Sequence, residues 1–244
     1  MPLKMRSMIW VCLLLSVSIF LFSCEPEEEV NEETAEPENA APQVDVELPA
    51  PEPSEEGTFE DLLYHRQSRR DFVEEELPLE DLSQIAWSSA GVGVDGTTGA
   101  TRTAPSAGAT DPMEVFIVAG DVDGMEPGIY HYDYTSHELD LVKEGDYRAE
   151  LSSAALGQEF VEDGAASIVM AAKYERTKSR YGERGERYVH MEVGHMAQNV
   201  YLQVEALDSL GTVAIGAFDD EDVAAVLETD YEPLMIMPVG KVTQ

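Results

Sequence analysis

The clearest helical pattern of the chain lies between about 188 and 209. One face of this stretch carries seven apolar residues at helical spacing: Val189, Val193, Met196, Ala197, Val200, Val204 and Leu207. A period near 3.6 residues predicts an amphipathic helix of about five turns. The same reasoning predicts helices over 59–70 and 79–90, and a shorter one that Asp219 caps and that ends at Leu227.

Short apolar runs and alternating stretches predict the strands. Four runs have the length and composition of buried strands: 115–119, 167–172, 212–217 and 234–239. The stretches 128–133 and 138–142 alternate with period two around a turn at Thr135 and Ser136, which predicts a hairpin. Strands mixed with helices, with a hairpin in the middle, indicate an α+β fold.

The first 23 residues have the pattern of an export signal. Lys4 and Arg6 precede an apolar run over 8–22 that is short for a membrane span. The run ends in LFSC (21–24), which resembles the lipobox of bacterial lipoproteins. That resemblance implies a signal peptide over 1–23 and lipid attachment at Cys24. We expect an exported protein, anchored on the periplasmic or cell-surface side of a bacterial membrane, with the outer membrane favoured. A plain signal peptide and an uncleaved anchor are the alternatives.

Composition divides the rest of the chain into a tether and a folded domain. Residues 25–56 hold 13 Asp and Glu, repeated Pro and no Lys or Arg, so we expect 24–56 to be a disordered tether. Residues 57–244 carry 36 acids against 13 bases, a charge that argues against nucleic acid as a partner. The two cysteines are Cys12 and Cys24, so the domain has no thiol for a disulfide or a nucleophile.

The segment RQSRRDF (66–72) concentrates positive charge in a chain with 49 acids and only 15 Lys and Arg. Arginine forks and a serine hydroxyl suit a phosphate, so the segment is a candidate anion site. Taken alone, it also fits an ordinary helix C-terminus, where the helix dipole favours cations.

Further motifs follow this segment in order. They are RTAPSAGA (102–109), YGERGERY (181–188), EVGHMAQN (192–199), GTVAIGAF (211–218) and PVGK (238–241). The ordered set resembles the nitroreductase-like flavin proteins, and specifically their SagB-type dehydrogenase branch. The resemblance covers nearly all of 57–244. It implies FMN as cofactor, a mostly antiparallel central sheet flanked by helices, and a homodimer with the long helix at its interface.

The resemblance also assigns roles to residues. Phosphate binding falls to Arg66, Ser68 and Lys241, and Gln67 between them is a further cofactor-binding residue. Arg70 is expected near N1 and O2 of the flavin ring, where positive charge raises the reduction potential. A segment from the second subunit would cover the ring and ribityl chain: Pro105, Ser106, Ala107 and Gly108. Backbone N–H groups would reach the N5 and O4 edge from Ile215, Gly216 and Ala217. Without the resemblance, 105–108 fits a surface loop and 215–216 a strand bulge.

Several positions depart from the family pattern. Azoline-oxidising members carry a Lys-Tyr pair where this chain has Arg180 and Tyr181. Arginine stays protonated and is a poor general base, so Tyr181 is the candidate for proton transfer and Arg180 for charge stabilisation. Asp111 stands where the branch usually has an aromatic residue, and no Arg follows the final Lys.

A metal cluster on the long helix is not predicted. His190 and His195 are five residues apart, about 140° round a helix, so they do not make one ligand face with Glu192. We expect His190, His195 and Glu192 to be ordinary polar residues of the helix.

Three hypotheses remain for function. The leading one is an FMN-dependent oxidoreductase that moves hydride between a small organic substrate and flavin N5, tethered outside the cytoplasm. Because NAD(P)H is absent there, we expect the natural direction to be substrate oxidation. The second is a non-catalytic lipoprotein of the same fold that binds a ligand or serves as a scaffold. A solute-binding lipoprotein of another fold ranks last, because no two-lobe organisation is evident.

Overall fold

The computed structural model describes residues 57–93, 102–207 and 209–243. The predicted signal peptide over 1–23, the lipid site Cys24 and the tether over 24–56 lie outside the described residues. Within the described ranges, no helix has both the length and the apolar character needed to cross a membrane.

Helices and strands alternate irregularly along the domain. The helices are α1 (Phe59–His65), α2 (Leu79–Ala90), α3 (Arg148–Ala154), α4 (Phe160–Asp163), α5 (Tyr174–Tyr181), α6 (Arg184–Glu205) and α7 (Asp220–Leu227). The strands are β1 (Met113–Ala119), β2 (Gly128–Asp133), β3 (Glu138–Glu144), β4 (Ala166–Ala172), β5 (Leu210–Thr212) and β6 (Glu232–Lys241).

The strands form one six-stranded sheet in the order β3-β2-β1-β4-β6-β5. Every neighbouring pair is antiparallel. The two central strands, β1 and β4, are buried along their whole length, because helices cover both faces of the sheet. The predicted α+β fold with an antiparallel sheet and flanking helices is confirmed.

Side chains of the central strands point alternately to two hydrophobic cores. Ile117 and Ile168 face a core that α2 and α6 complete, while Phe116 and Val169 face a second core that α3 and α7 complete. Helix α6 contributes its predicted apolar face to the first core, and Val189 and Val200 are fully buried there.

Helix α2, the hairpin of β2 and β3, and the Asp219 cap match their predictions; the Asp219 carboxylate accepts from Asp222 N at 3.0 Å. Helix α6 runs over Arg184–Glu205 instead of the predicted 188–209, so Leu207 lies beyond its end, and two further predicted elements are wrong at their ends. Helix α1 stops at His65 instead of Arg70, because the next residues pair with distant strands. The strand predicted over 212–217 is only β5 plus a single bridge from Ile215 to Ile236.

Candidate functional site

The basic segment 66–72 is extended and lies at the edge of the sheet. Arg66 ends α1 with φ −50° and ψ 121°, which turns the chain out of the helix. Arg69 N then donates to Thr212 O at 3.0 Å, and Phe72 bridges to Val242. Arg66 is thus the C-cap of α1, as the helix C-terminus alternative expects, while the rest of the segment is held by strand-like pairing.

Arg69 is engaged in an ion pair. Its guanidinium donates to both carboxylate oxygens of Glu205, with Nη1 to Oε2 at 2.6 Å and Nη2 to Oε1 at 3.1 Å. The hydrogen bond that Arg69 donates to Glu205 raises the pKa of Arg69, although burial opposes this rise. This pair neutralises Arg69, so the segment offers Arg66, Ser68 and Arg70 to an anion.

Tyr201 of α6 organises the start of the segment. Its hydroxyl lies 2.8 Å from Ser68 Oγ and accepts a hydrogen bond from Ala214 N at 2.8 Å. The Arg66 guanidinium lies over the Tyr201 ring, 4.9 Å from its centroid. Nothing in the sequence patterns singled out Tyr201, whose only signal is its place one turn before Glu205 on α6.

Arg70 lies against Phe160 of α4, and Gln158, just before this helix, hydrogen-bonds to the loop that carries Gly216 and Ala217. Its guanidinium lies 5.5 Å from the ring centroid of Phe160, and the nearby Gln158 donates to Ala217 O at 2.9 Å. Gly216 and Ala217 are exposed, and a Cβ built on Gly216 would meet no atom within 4 Å. This edge is open to the approach of a flat group.

Ile215 and Lys241 are placed by backbone pairing. Ile215 is buried, and its N–H donates to Ile236 O at 2.9 Å, so it anchors the exposed pair that follows. Lys241 ends β6, and its carbonyl accepts from Val73 N at 2.9 Å. The C-terminal strand thus pairs Lys241 with Val73, the residue that follows the basic segment, through its backbone.

A cleft of about 700 Å³ opens beside the basic segment. Its wall includes Gln67, Ser68 and Arg70, together with Glu205 and Thr243. A volume in this range is typical of small-molecule and cofactor sites. The cleft places an anion-binding wall at the surface of the domain.

Arg180 and Tyr181 meet the predicted flavin-covering segment at a second location. Arg180 Nη1 donates to Gly108 O at 2.8 Å, and Gly108 has a left-handed φ of 61°. The Tyr181 ring stands nearly perpendicular to that of Tyr188, with centroids 5.0 Å apart. The structure therefore joins two motifs that are more than 70 residues apart.

Glu192 lies buried beneath the same segment. Burial raises its pKa to about 7, and repulsion from Asp111 adds to that; hydrogen bonds from Ser106 and Ala107 N and the charge of Arg102 oppose it. Its Oε2 has no hydrogen-bond partner, although the side chain is only 5% exposed. Sequence reasoning treated Glu192 as an ordinary helix polar, because periodicity does not reveal a buried charge.

His190 and His195 take separate roles from Glu192. The His190 ring nitrogen Nε2 lies 2.6 Å from the Tyr174 hydroxyl, while His195 is exposed. Among the residues that the structure describes, no group of three or more His, Cys, Asp or Glu is placed to hold a metal ion.

The two locations lie on opposite faces of α6. Tyr201 serves the basic segment and Glu192 serves 105–108, and nine residues separate them. At 1.5 Å and 100° per residue, this spacing amounts to roughly 13 Å and half a turn. One protomer therefore carries its predicted site residues in two separate groups on opposite faces of α6, which we call half-sites.

Comparisons with known proteins agree with this geometry. The family model described as the nitroreductase family matches residues 63–241, so the chain belongs to the nitroreductase family. The chain is 43% identical over 187 residues to the nitroreductase homologue MJ1384 of Methanocaldococcus jannaschii, covering 77% of this chain and 92% of that protein. It is 25% identical to the trifolitoxin operon protein TfxC of Rhizobium leguminosarum, covering 74% of this chain and 54% of that protein.

Solved structures show the same fold. A nitroreductase-family protein of Ralstonia eutropha superposes with a TM-score of 0.66 at 28% identity, covering 81% of this chain and 89% of that one. One of Anabaena variabilis gives a TM-score of 0.66 at 29% identity over 75% of this chain, but this match spans only 38% of the Anabaena chain.

The donor set fits a flavin that carries a phosphate. The Ser68 hydroxyl and the Arg70 guanidinium line the cleft, and the Arg66 guanidinium lies over Tyr201, which contacts Ser68. Guanidinium and hydroxyl groups are the donors that a phosphate prefers. The open edge at Gly216 leaves room for a ring beside exposed backbone N–H groups. FMN is thus compatible with the residues present.

Proposed function

We propose that this protein is an FMN-dependent oxidoreductase that acts as a homodimer on a small organic substrate. The observation that carries the proposal is the cleft lined by Gln67, Ser68 and Arg70. Arg66 lies over the ring of Tyr201, whose hydroxyl contacts Ser68, and Gly216 and Ala217 form an exposed edge of the same domain. Membership of the nitroreductase family supports the same reading.

The half-sites support the dimer. The basic segment and 105–108 lie on opposite faces of α6, so a second copy is the natural source of the covering segment for each flavin. Helix α6 also keeps an exposed stripe at helical spacing, formed by Met191, Gly194, His195 and Gln198. Met191 is 51% exposed, and a Cβ on Gly194 would meet no atom within 4 Å, so this stripe can accept a partner helix closely.

Each half-site has a defined task. FMN, when bound, supplies hydride exchange at N5 of its ring. Arg66 and Ser68 hold the phosphate, and Arg70 provides positive charge that favours added negative charge on the ring. Arg180 fixes Gly108 through its hydrogen bond, so its role is to position the covering segment and to stabilise charge. Tyr181 holds the proton that a substrate atom gains or loses.

The SagB-type branch and the direction of reaction follow from similarity and location. The similar protein TfxC is named for the trifolitoxin operon. This name supports the SagB-type branch, whose substrates differ from nitro compounds. Lipid attachment at Cys24 would place the domain outside the cytoplasm, where substrate oxidation is the expected direction. Retention of full-length Cys24→Ser protein in the membrane fraction would contradict this anchoring.

The test of the proposed function is retention of flavin. Full-length protein in detergent is mixed with FMN, freed of excess, and examined for the visible absorbance band of bound flavin and for its mass in solution. We expect one FMN per protomer in a dimer. A folded protein that retains no flavin would favour the second hypothesis, a non-catalytic protein of the nitroreductase fold.

A further inference from the structure

The Tyr201 hydroxyl connects the basic segment to the loop that leads to Gly216, and these two segments are expected to hold opposite ends of the cofactor. It contacts Ser68 Oγ at 2.8 Å on the basic segment and Ala214 N at 2.8 Å on the loop that leads to Gly216. Ser68 and Tyr201 are 133 residues apart in the chain, so this contact is a product of the fold.

Donor chemistry fixes the direction of one of these two hydrogen bonds, and either hydroxyl can donate in the other. A backbone N–H can only donate, so the Tyr201 oxygen accepts from Ala214. The Tyr201 proton is then free to point at Ser68 Oγ. When Tyr201 donates to it, Ser68 keeps its own proton for another acceptor. An anion needs donors, so this arrangement orients Ser68 for a phosphate oxygen.

The Tyr201 ring contacts Arg66, the second residue that is expected to bind the phosphate. The Arg66 guanidinium lies 4.9 Å from the ring centroid, a cation–π distance that restricts where this flexible side chain points. One turn further along α6, Glu205 holds Arg69. The same face of α6 therefore fixes three successive parts of the basic segment.

We propose that Tyr201 is a positioning residue that sets Ser68 and Arg66 for the cofactor phosphate and ties them to the loop at Ala214. The inference rests on the proposed function, because it assumes that a phosphate-bearing flavin occupies the cleft. It adds a residue that contacts the phosphate ligands and takes no part in hydride or proton transfer.

The test compares two flavins that differ in the phosphate. Tyr201→Phe keeps the ring beneath Arg66 and removes the hydroxyl. Dissociation constants of full-length protein for FMN and for riboflavin are measured by quenching of flavin fluorescence. We expect Tyr201→Phe to weaken FMN binding by about tenfold, the value of one charge-assisted hydrogen bond, and to leave riboflavin binding nearly unchanged.

Two further variants separate positioning from general damage. Tyr130→Phe removes a tyrosine hydroxyl that donates to Glu126 O at 2.7 Å, far along the chain from the cleft, and it should change neither constant. Ser68→Ala should weaken FMN binding. Adding Tyr201→Phe to Ser68→Ala should cause no additional loss of FMN affinity, because the Tyr201 hydroxyl acts through Ser68.

The outcomes distinguish the two proposals. Wild-type protein that binds neither flavin would overturn the proposed function and this inference with it. Wild-type binding of FMN, combined with an unchanged FMN constant in Tyr201→Phe or with equal losses for FMN and riboflavin, would overturn the inference alone. Additive losses from Ser68→Ala and Tyr201→Phe would do the same.

Discussion

Arg69 and Glu205 form a two-pronged ion pair, with N–O distances of 2.6 and 3.1 Å, between the basic segment and the C-terminal end of α6. The side chains are 26% and 12% exposed, so the pair is partly shielded from water. It holds the segment to the helix while removing one arginine from the anion-binding set. Anchoring and binding are thus divided between neighbouring residues.

Arg69→Ala should lower stability more than flavin affinity. Glu205 would lose both hydrogen bonds in a poorly solvated position, and we expect the free energy of unfolding to fall by about 2 kcal/mol. FMN affinity should change far less. Urea unfolding and flavin titration measure the two effects, with Arg187→Ala as an exposed arginine control. A loss of FMN with unchanged stability would contradict the anchoring role.

Removing Arg66 and Arg70 together should lower flavin affinity more than stability, which is the opposite of the result expected for Arg69→Ala. Both guanidinium groups lie over aromatic rings, and no ion pair is observed for either within the described residues. We expect the Arg66→Ala, Arg70→Ala variant to fold and to bind FMN about 100-fold more weakly, the loss of two charged contacts.

The matched control for this double variant is Arg184→Ala with Arg187→Ala, which changes the net charge equally at exposed positions. Circular dichroism and flavin titration are measured for both proteins. Lost folding with flavin retained would indicate that Arg66 and Arg70 have a purely structural role.

Glu192 should make stability fall as the pH rises. Burial raises its pKa from 4.5 to about 7, so between these values the folded protein binds a proton that the unfolded chain releases. Ionising the buried carboxyl therefore destabilises the fold as pH increases across this window. We expect Glu192→Gln to melt at a higher temperature relative to wild type at pH 8 than at pH 5.

Melting temperatures across this range provide the measurement, and Glu150→Gln, at an exposed carboxylate, is the control whose profile should parallel wild type. Arg102 and Asp111 are the charged neighbours that act on Glu192, and they favour opposite protonation states. A pH-independent difference between wild type and Glu192→Gln would show that Glu192 does not titrate in this window.

Gly108→Ala should disturb the contact between the covering segment and α5. Gly108 has φ 61°, and a Cβ there would lie 2.7 Å from Arg180 Nη1 and against the Tyr181 hydroxyl. Gly124→Ala is a matched control, since its φ of 71° carries the same backbone cost of about 1 kcal/mol but no atom lies within 4 Å.

We expect Gly108→Ala to lower stability more than Gly124→Ala and to reduce turnover of a flavin-loaded dimer, because Arg180 and Tyr181 must move. Thermal melts and a reductase assay with an artificial electron acceptor measure both effects. Equal losses of stability and turnover in Gly108→Ala and Gly124→Ala would mean that Arg180 and Tyr181 can move away from the new Cβ without affecting either property.

Local patterns predicted much of the secondary structure. The twelve residues of α2 and the alternating hairpin appear where the sequence predicted them, and the apolar period of α6 appears in a helix that begins and ends earlier than predicted. Each depends on interactions between residues close in the chain, which periodicity and capping chemistry describe well. The resemblance of the ordered motifs also identified the family before any contact was known.

The ends of elements and the pairing of site residues depended on distant contacts. Helix α1 stops at His65 because Arg69 and Phe72 pair with Thr212 and Val242. Helical propensity depends on the local sequence alone, so it does not predict these distant partners. The division of the basic segment into anchoring and binding residues has the same origin, because Arg69 forms its ion pair with the distant residue Glu205.

The sequence by itself determined the α+β class, the main helices and strands, and the set of residues from which a flavin site can be built. Tertiary structure decided which of these residues meet. It placed Tyr201 against Ser68, buried Glu192 under Ser106, and set two half-sites on opposite faces of α6. The physical reason is that burial and directional hydrogen bonds arise only when segments far apart in the chain pack together.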